Sequence, residues 1–267
     1  MNKIKLSGFL LISFLLILSA FPAVSQKVLA TIVKNGEIRV GTTGDQPPYS
    51  MKSKAGDLMG FEIDLAKALA TNMGVKLKLV EIPFSQLMDA LKAGKIDAIM
   101  SGMTITPERN LSALFAGPYT ISGKSILTKS SKVAALNDTG ASGKKYKIVC
   151  LKGSTSEEFV KTVMSKQELI AVSNYDDGVN MVINDQADAM VADKPICVLS
   201  ILRYPGKDLV TTEQPLTIEP IGMALPPGDF QFLNLVTNYI STLQISLTLQ
   251  GLEQKWFKDG SWMLSVK

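Results

Sequence analysis

A chain of 267 residues, 46% apolar and 19% charged with a net charge of +4, is long enough for one large or two medium domains and too hydrophobic to be disordered. It contains no histidine, which excludes His-based metal sites, Ser-His-Asp and Cys-His nucleophile systems and any histidine pH switch.

The N-terminus accounts for part of the hydrophobicity. Lys3 and Lys5 precede an apolar stretch from Phe9 to Leu18, and Ala23-Val24-Ser25 places small residues before Gln26. This reads as a cleaved signal peptide over residues 1–25. Ser13 and Ser19 interrupt the stretch, which speaks against a membrane anchor of about 20 apolar residues. No cysteine follows it, so a lipid anchor is not expected. Loss of Lys3 and Lys5 takes the net charge from +4 to +2, near neutral, and nucleic acid is not an expected partner. Cys150 and Cys197 enter an oxidising compartment, where an even count allows one disulfide without requiring it. No metal, nucleotide or other cofactor has a signature in the chain.

The mature chain alternates strand and helix. Ile38 to Gly41 reads as a strand followed by a Gly- and Pro-rich loop, Thr42 to Tyr49. Phe61, Leu65, Ala68, Leu69 and Met73 recur on one face of a helix that Gly74 ends. Val75, Leu77 and Leu79 alternate as a strand. Ser85 is the expected N-cap of a helix through Ala93, and Ile96 to Met100 the next strand. Phe84 to Gly102 then aligns without a gap on Tyr175 to Asp193, 91 residues later. Before that second copy, Lys147 to Leu151 is a strand, Gly153-Ser154-Thr155 a turn into a helix, and Leu169 to Val172 a strand. Two similar α/β lobes are expected, with a ligand cleft between the loops that follow their strands. Phe230 to Leu243 and Leu247 to Phe257 read as helices packing back on the first lobe.

Three features of those loops bear on chemistry. Thr106 and Pro107 suit the N-cap and first position of a helix, which puts Arg109 in its first turn. A cation there opposes the helix dipole unless it meets an anion, and its planar fork suits a carboxylate; a surface partner is the alternative. Ser154 and Thr155 offer hydroxyls and backbone N–H groups for a second anion contact, or simply begin a helix. Asp193 ends the last strand of the second lobe, where it can take an ammonium group or cap the following helix. An arginine on one lobe and an aspartate on the other suit a zwitterion.

Phe61-Glu62-Ile63-Asp64-Leu65, the run Lys95 to Arg109 with Thr104-Ile105-Thr106-Pro107-Glu108-Arg109 at its end, Gly117-Pro118-Tyr119, Lys152-Gly153-Ser154-Thr155 and Lys255-Trp256-Phe257 together resemble the periplasmic amino-acid-binding proteins of ABC importers, solute-binding protein family 3. The resemblance implies a type II periplasmic-binding-protein fold: two open α/β lobes joined by two hinge strands. The first lobe would comprise residues 26–121 and 223–267, and the second 122–222. It also implies a monomeric periplasmic protein that closes on one free amino acid and delivers it to membrane permease subunits. By the same resemblance Arg109, Thr104 and Thr155 would bind the α-carboxylate, with Ser101 and Ser154 beside them. Asp193 and the Gly102 carbonyl would hold the α-amino group, Phe84 would stack on the ligand side chain, and Thr43, Gln46 and Tyr49 would border the pocket.

Two other roles occur on the same fold. The loop Val40 to Tyr49 resembles that of cyclohexadienyl dehydratase, an enzyme relative acting on prephenate or arogenate. That enzyme places a general-acid glutamate three residues after the aspartate, where this chain has Ile196, which cannot donate a proton; Asp45 is left as a candidate acid. A receptor sensor domain is the third role, and no transmembrane segment accompanies it here. Binding is the expected function, and no enzyme activity is expected. The residues do not name the amino acid.

Overall fold

The computed structural model describes residues 28–137 and 144–266; the segment read as a signal peptide lies outside them. In chain order come α1 (Val28–Asn35), β1 (Glu37–Thr42), a small hairpin of β2 (Met51–Lys52) and β3 (Leu58–Met59), α2 (Phe61–Met73), β4 (Lys76–Glu81), α3 (Leu87–Lys92), β5 (Ala98–Ile99), the single turn α4 (Pro107–Asn110) and β6 (Leu114–Ser122). Past Gly123 follow β7 (Lys124–Lys129), α5 (Val133–Asn137), β8 (Lys147–Leu151), α6 (Thr155–Val163), β9 (Glu168–Val172), α7 (Tyr175–Ile183), β10 (Ala189–Asp193), α8 (Lys194–Arg203) and β11 (Leu209–Thr211). Then come β12 (Glu219–Leu225), α9 (Phe230–Ile245) and α10 (Thr248–Glu253), followed by two short helical turns at Gln254–Lys258 and Ser261–Ser265.

These elements build two five-stranded sheets, ordered β4-β1-β5-β12-β6 and β9-β8-β10-β7-β11. In each, the first three strands run parallel and the last two join antiparallel. The fold is the expected two-lobed α/β architecture, and the internal repeat supplies the middle strand of each sheet, β5 from Phe84–Gly102 and β10 from Tyr175–Asp193. Each lobe's antiparallel fourth strand follows a crossing from the other lobe. β6 of sheet 1 passes through Gly123 into β7 of sheet 2, and the chain returns from β11 to β12. β12 pairs in sheet 1 from Glu219 onward, opposite Ser122; the resemblance implies a returning segment from residue 223.

Local causes are visible. Ile38 and Val40 alternate inward on β1 and are fully buried. Phe61, Leu65 and Leu69 face the core from α2, while Ala68 and Met73 sit at its edge. Gly74 ends that helix in the left-handed conformation (φ 66°), its N–H returning to Thr71 O. Ser85 does not cap: Phe84–Gln86 form a 3-10 turn and the helix begins at Leu87. The strand expected over Ile96–Met100 narrows to Ala98–Ile99, although its backbone bonds to β1 continue through Asp97 and Met100.

The C-terminal segment is fastened to α2. Trp256 Nε1 donates to Asp64 Oδ2 at 2.9 Å and Lys255 Nζ reaches the same oxygen at 2.7 Å. Phe257 packs edge-on against Phe61 and Tyr49, with ring centroids 5.2 and 5.3 Å away. Cys150 on β8 and Cys197 on α8 are buried free thiols, so the disulfide that the even count allows is not formed. Burial pushes both thiols up to about 12; they remain protonated and act as small apolar filling.

Candidate functional site

The loops that leave the carboxyl ends of β1, β5, β8 and β10 meet between the lobes. Thr106 caps α4 as expected, its Oγ1 accepting the Arg109 N–H at 3.2 Å with Pro107 behind it. That local geometry aims Arg109 at the opposite lobe. Its Nη1 donates to Thr104 O (2.9 Å) on its own lobe and Nη2 to Gly153 O (3.3 Å) on the other. The guanidinium carbon stands 5.7 Å from the centroid of the Phe84 ring, a cation–π contact. Burial lowers the Arg109 pKa from its ordinary value, while Glu219 and Asp193 nearby favour its charge. Two of the five N–H donors of a guanidinium are used on carbonyls, so the rest can accept an anion.

Thr104 Oγ1 and Thr155 Oγ1 lie 3.4 Å apart across the lobes, and Thr155 donates to Glu219 Oε2 at 3.2 Å. Ser154, grouped with Thr155 by the sequence, is spent within its own turn. Its Oγ accepts the Glu157 N–H that caps α6 (3.3 Å) and donates to Leu151 O (2.6 Å). The helix start therefore offers an anion Thr155 and backbone N–H groups rather than the Ser154 hydroxyl.

Behind Arg109, the first lobe is braced by a polar cluster. Ser101 Oγ accepts the Thr43 N–H at 3.1 Å and lies 3.3 Å from Thr43 Oγ1 and from Gln46 Oε1. Gln46 is buried under Gly102: a Cβ at that glycine would fall 2.2 Å from Gln46 Nε2. Gly102 also has φ +57°, so a side chain there would strain the backbone and displace the Gln46 amide. Its N–H donates to both oxygens of Glu62, at 2.8 and 3.0 Å, and the Tyr119 hydroxyl donates to the same carboxylate. Glu62 is fully buried, and that burial lifts its pKa to about 7.

The remaining expected residues separate into rim and interior. Thr43 and Asp45 line an interlobe cavity together with Asp176 and Arg203 of the second lobe. Asp45 has its pKa raised by burial, and among the described residues it has no ion-pair partner. Gln46 and Tyr49 lie inside the first lobe, the Tyr49 ring fully buried on Phe257 and its hydroxyl near Ser122 and Asp193. Asp193 neither caps α8 nor stands free. Its Oδ1 accepts Lys124 Nζ at 2.7 Å, and Lys124 lies 3.6 Å from Glu219 Oε2.

Lys124, Glu219, Glu62 and Tyr175 join the site, although the sequence singles out none of them as a site residue. Tyr175 is buried near Asp193 and Asp45, and it occupies the repeat position of Phe84, a signal already present in the alignment of the two copies. Lys124 opens the strand Lys-Ser-Ile-Leu, where a buried lysine has no local signature.

Comparison with known proteins fits this geometry. The profile of the family described as bacterial extracellular solute-binding proteins, family 3, matches residues 38–259. The L-arginine-binding protein of Pseudomonas aeruginosa is 30% identical over 243 residues, spanning 88% of this chain and 93% of the relative. The cyclohexadienyl dehydratase of the same organism is 27% identical over 246 residues, 91% of each chain. Among solved structures, the ancestral amino acid-binding protein AncCDT-1, a precursor of cyclohexadienyl dehydratase, superposes with a TM-score of 0.80 at 37% identity, covering 86% of this chain and 99% of its own. With a two-lobed fold and a matching profile over most of its length, the chain belongs to the bacterial extracellular solute-binding proteins of family 3.

Proposed function

We propose that this protein captures one free α-amino acid between its lobes in the periplasm and hands it to the permease of an ABC importer. The observation that carries this reading is Arg109, held between carbonyls of both lobes with donors to spare. A ligand carboxylate on that fork, with Thr104 and Thr155 as further contacts, joins the two lobes through a single anion. The α-ammonium then faces Asp193, whose Oδ2 accepts no hydrogen bond among the described residues, and the Gly102 carbonyl; Phe84 flanks the side chain. Because contacts come from both lobes, the ligand has higher affinity for the closed form and shifts the population toward it.

A dehydratase reading draws on the similarity to that enzyme and on Asp45, a partly buried acid at the rim. Against it stands Ile196, three residues past Asp193 and 2% exposed, an apolar side chain with no proton to give.

Thermal unfolding of refolded, ligand-free protein against the twenty amino acids and prephenate separates the two readings. A ligand at 100 times its Kd stabilises by about 2.7 kcal/mol, which raises Tm by several degrees in a chain of this size. The expected result is a shift with one amino acid or a related group, without turnover. Formation of phenylpyruvate from prephenate assigns the chain to the enzyme instead.

A further inference from the structure

The Lys124 side chain is 2% exposed, and its ammonium sits between two carboxylates, Asp193 at 2.7 Å and Glu219 at 3.6 Å. A buried lysine is retained only when such partners compensate its desolvation. Its backbone is equally fixed. The Lys124 N–H donates to Thr217 Oγ1 at 2.9 Å and its carbonyl accepts the Leu216 N–H at 2.7 Å, so both interlobe crossings hold it in place. Glu219 is satisfied on each oxygen, by Thr217 Oγ1 (3.1 Å) and Thr155 Oγ1 (3.2 Å). A continuous polar chain thus runs Thr104–Thr155–Glu219–Lys124–Asp193, from the carboxylate end of the candidate site to its ammonium end.

We propose that Lys124 is a specificity-determining residue: a built-in cation that sets how much positive charge a ligand can bring into the cleft. The inference rests on the amino-acid-binding reading. Without Lys124, the Asp193 and Glu219 carboxylates face only Arg109 and the cleft has one surplus negative charge to offer. With it, these four charges cancel and a zwitterion enters at no net cost, while any further ligand cation meets a balanced site. Glu62 and Asp45 lie outside this group and are common to every variant, so the effect is read as a change relative to the wild type.

L-Arginine and L-citrulline have nearly the same shape and differ by one positive charge, so the ratio of their Kd values, citrulline over arginine, reports the charge preference by calorimetry. Lys124→Met is expected to raise this ratio about tenfold or more. Glu219→Gln is expected to lower it, and the double variant to return it near the wild-type value. Lys124→Arg, which keeps the charge, leaves it close to wild type. Should Lys124→Met fail to fold, Glu219→Gln and the double variant test the same charge balance. If wild type takes neither probe, glutamine and glutamate supply the one-charge comparison. A ratio within twofold of wild type in both single variants, with the two affinities falling together, overturns the proposal and reduces Lys124 to a structural pair. Failure of wild type to bind any of the twenty amino acids overturns the binding reading, and this inference with it.

Discussion

The two lobes have the same strand order and the same sequence of parallel and antiparallel pairings, yet they bring opposite charges to the cleft. At the end of the middle strand of sheet 1 the repeat places Gly102, whose missing side chain lets Gln46 and Glu62 approach the backbone. The corresponding position of sheet 2 is Asp193. The next helix begins in lobe 1 with Thr106-Pro107 and presents a cation, Arg109; in lobe 2 it begins with Lys194-Pro195 and the aspartate precedes it. The same scaffold therefore serves a carboxylate on one side and an ammonium on the other, with the difference confined to a few residues after a shared strand. It also separates their supports: Arg109 leans on carbonyls and a ring, Asp193 on a buried ion pair.

Removing each charge tests that separation. Asp193→Ala strands Lys124 beside Glu219 alone and should cost about 3 kcal/mol or more of stability in urea unfolding, besides weakening amine-bearing ligands. Arg109→Ala breaks no direct ion pair among the described residues, because the guanidinium bonds only the Thr104 and Gly153 carbonyls, and it leaves the Glu219 and Asp193 pair with Lys124 in place. It should weaken ligand binding by two or more orders of magnitude in calorimetry while the ligand-free Tm moves by only a degree or two. Equal destabilisation by both would erase the contrast between the lobes, and unchanged affinity in Arg109→Ala would remove the site.

Glu62 is the second residue of α2, where α6 of the second lobe has the buried Ser156, and pH isolates its contribution. Its folded pKa, about 7, is raised above the ordinary 4.5, so the fold binds this proton more tightly than the unfolded chain does. Its cost is absent below pH 4.5, grows as pH rises, and is complete above pH 7, on the order of 3 kcal/mol. Glu62→Gln, always neutral, should therefore gain stability relative to wild type with rising pH across that window. A difference that stays flat from pH 5 to 8 would show that Glu62 is ionised throughout. The smallest effect is expected from Gly102→Ala, about 1–2 kcal/mol from the positive φ and the displaced Gln46 amide. Because that loop carries part of the candidate ammonium site, affinity should fall with it.

Much of this frame is legible in the sequence because its causes are local. Ile38 and Val40 alternate, Phe61, Leu65 and Leu69 recur at helical spacing, and Thr106-Pro107 sets the direction of Arg109 within four residues. The repeat marks both middle strands without any knowledge of pairing. What escapes depends on distant groups. Nothing near Lys124 announces Asp193 and Glu219 as its partners, and Glu62 reads as an ordinary first-turn acid until Gly102 and Tyr119 close over it. Ser154 reads either as an anion contact or as the start of a helix, because capping and anion binding draw on the same residue type. Ser85 is an error of another kind, a good capping residue in a stretch that winds as a 3-10 turn.

The crossing of strands between lobes has a consequence for synthesis. All five strands of sheet 2 are consecutive in the chain, β7 to β11, so that lobe has its full set once Thr211 has left the ribosome. Sheet 1 at that moment still lacks β12, the strand that lies between β5 and β6, and its two halves cannot be joined until Leu225 is made. The lobe that begins first is the last to be finished, and a nascent chain stopped between those points has one complete half and one open one.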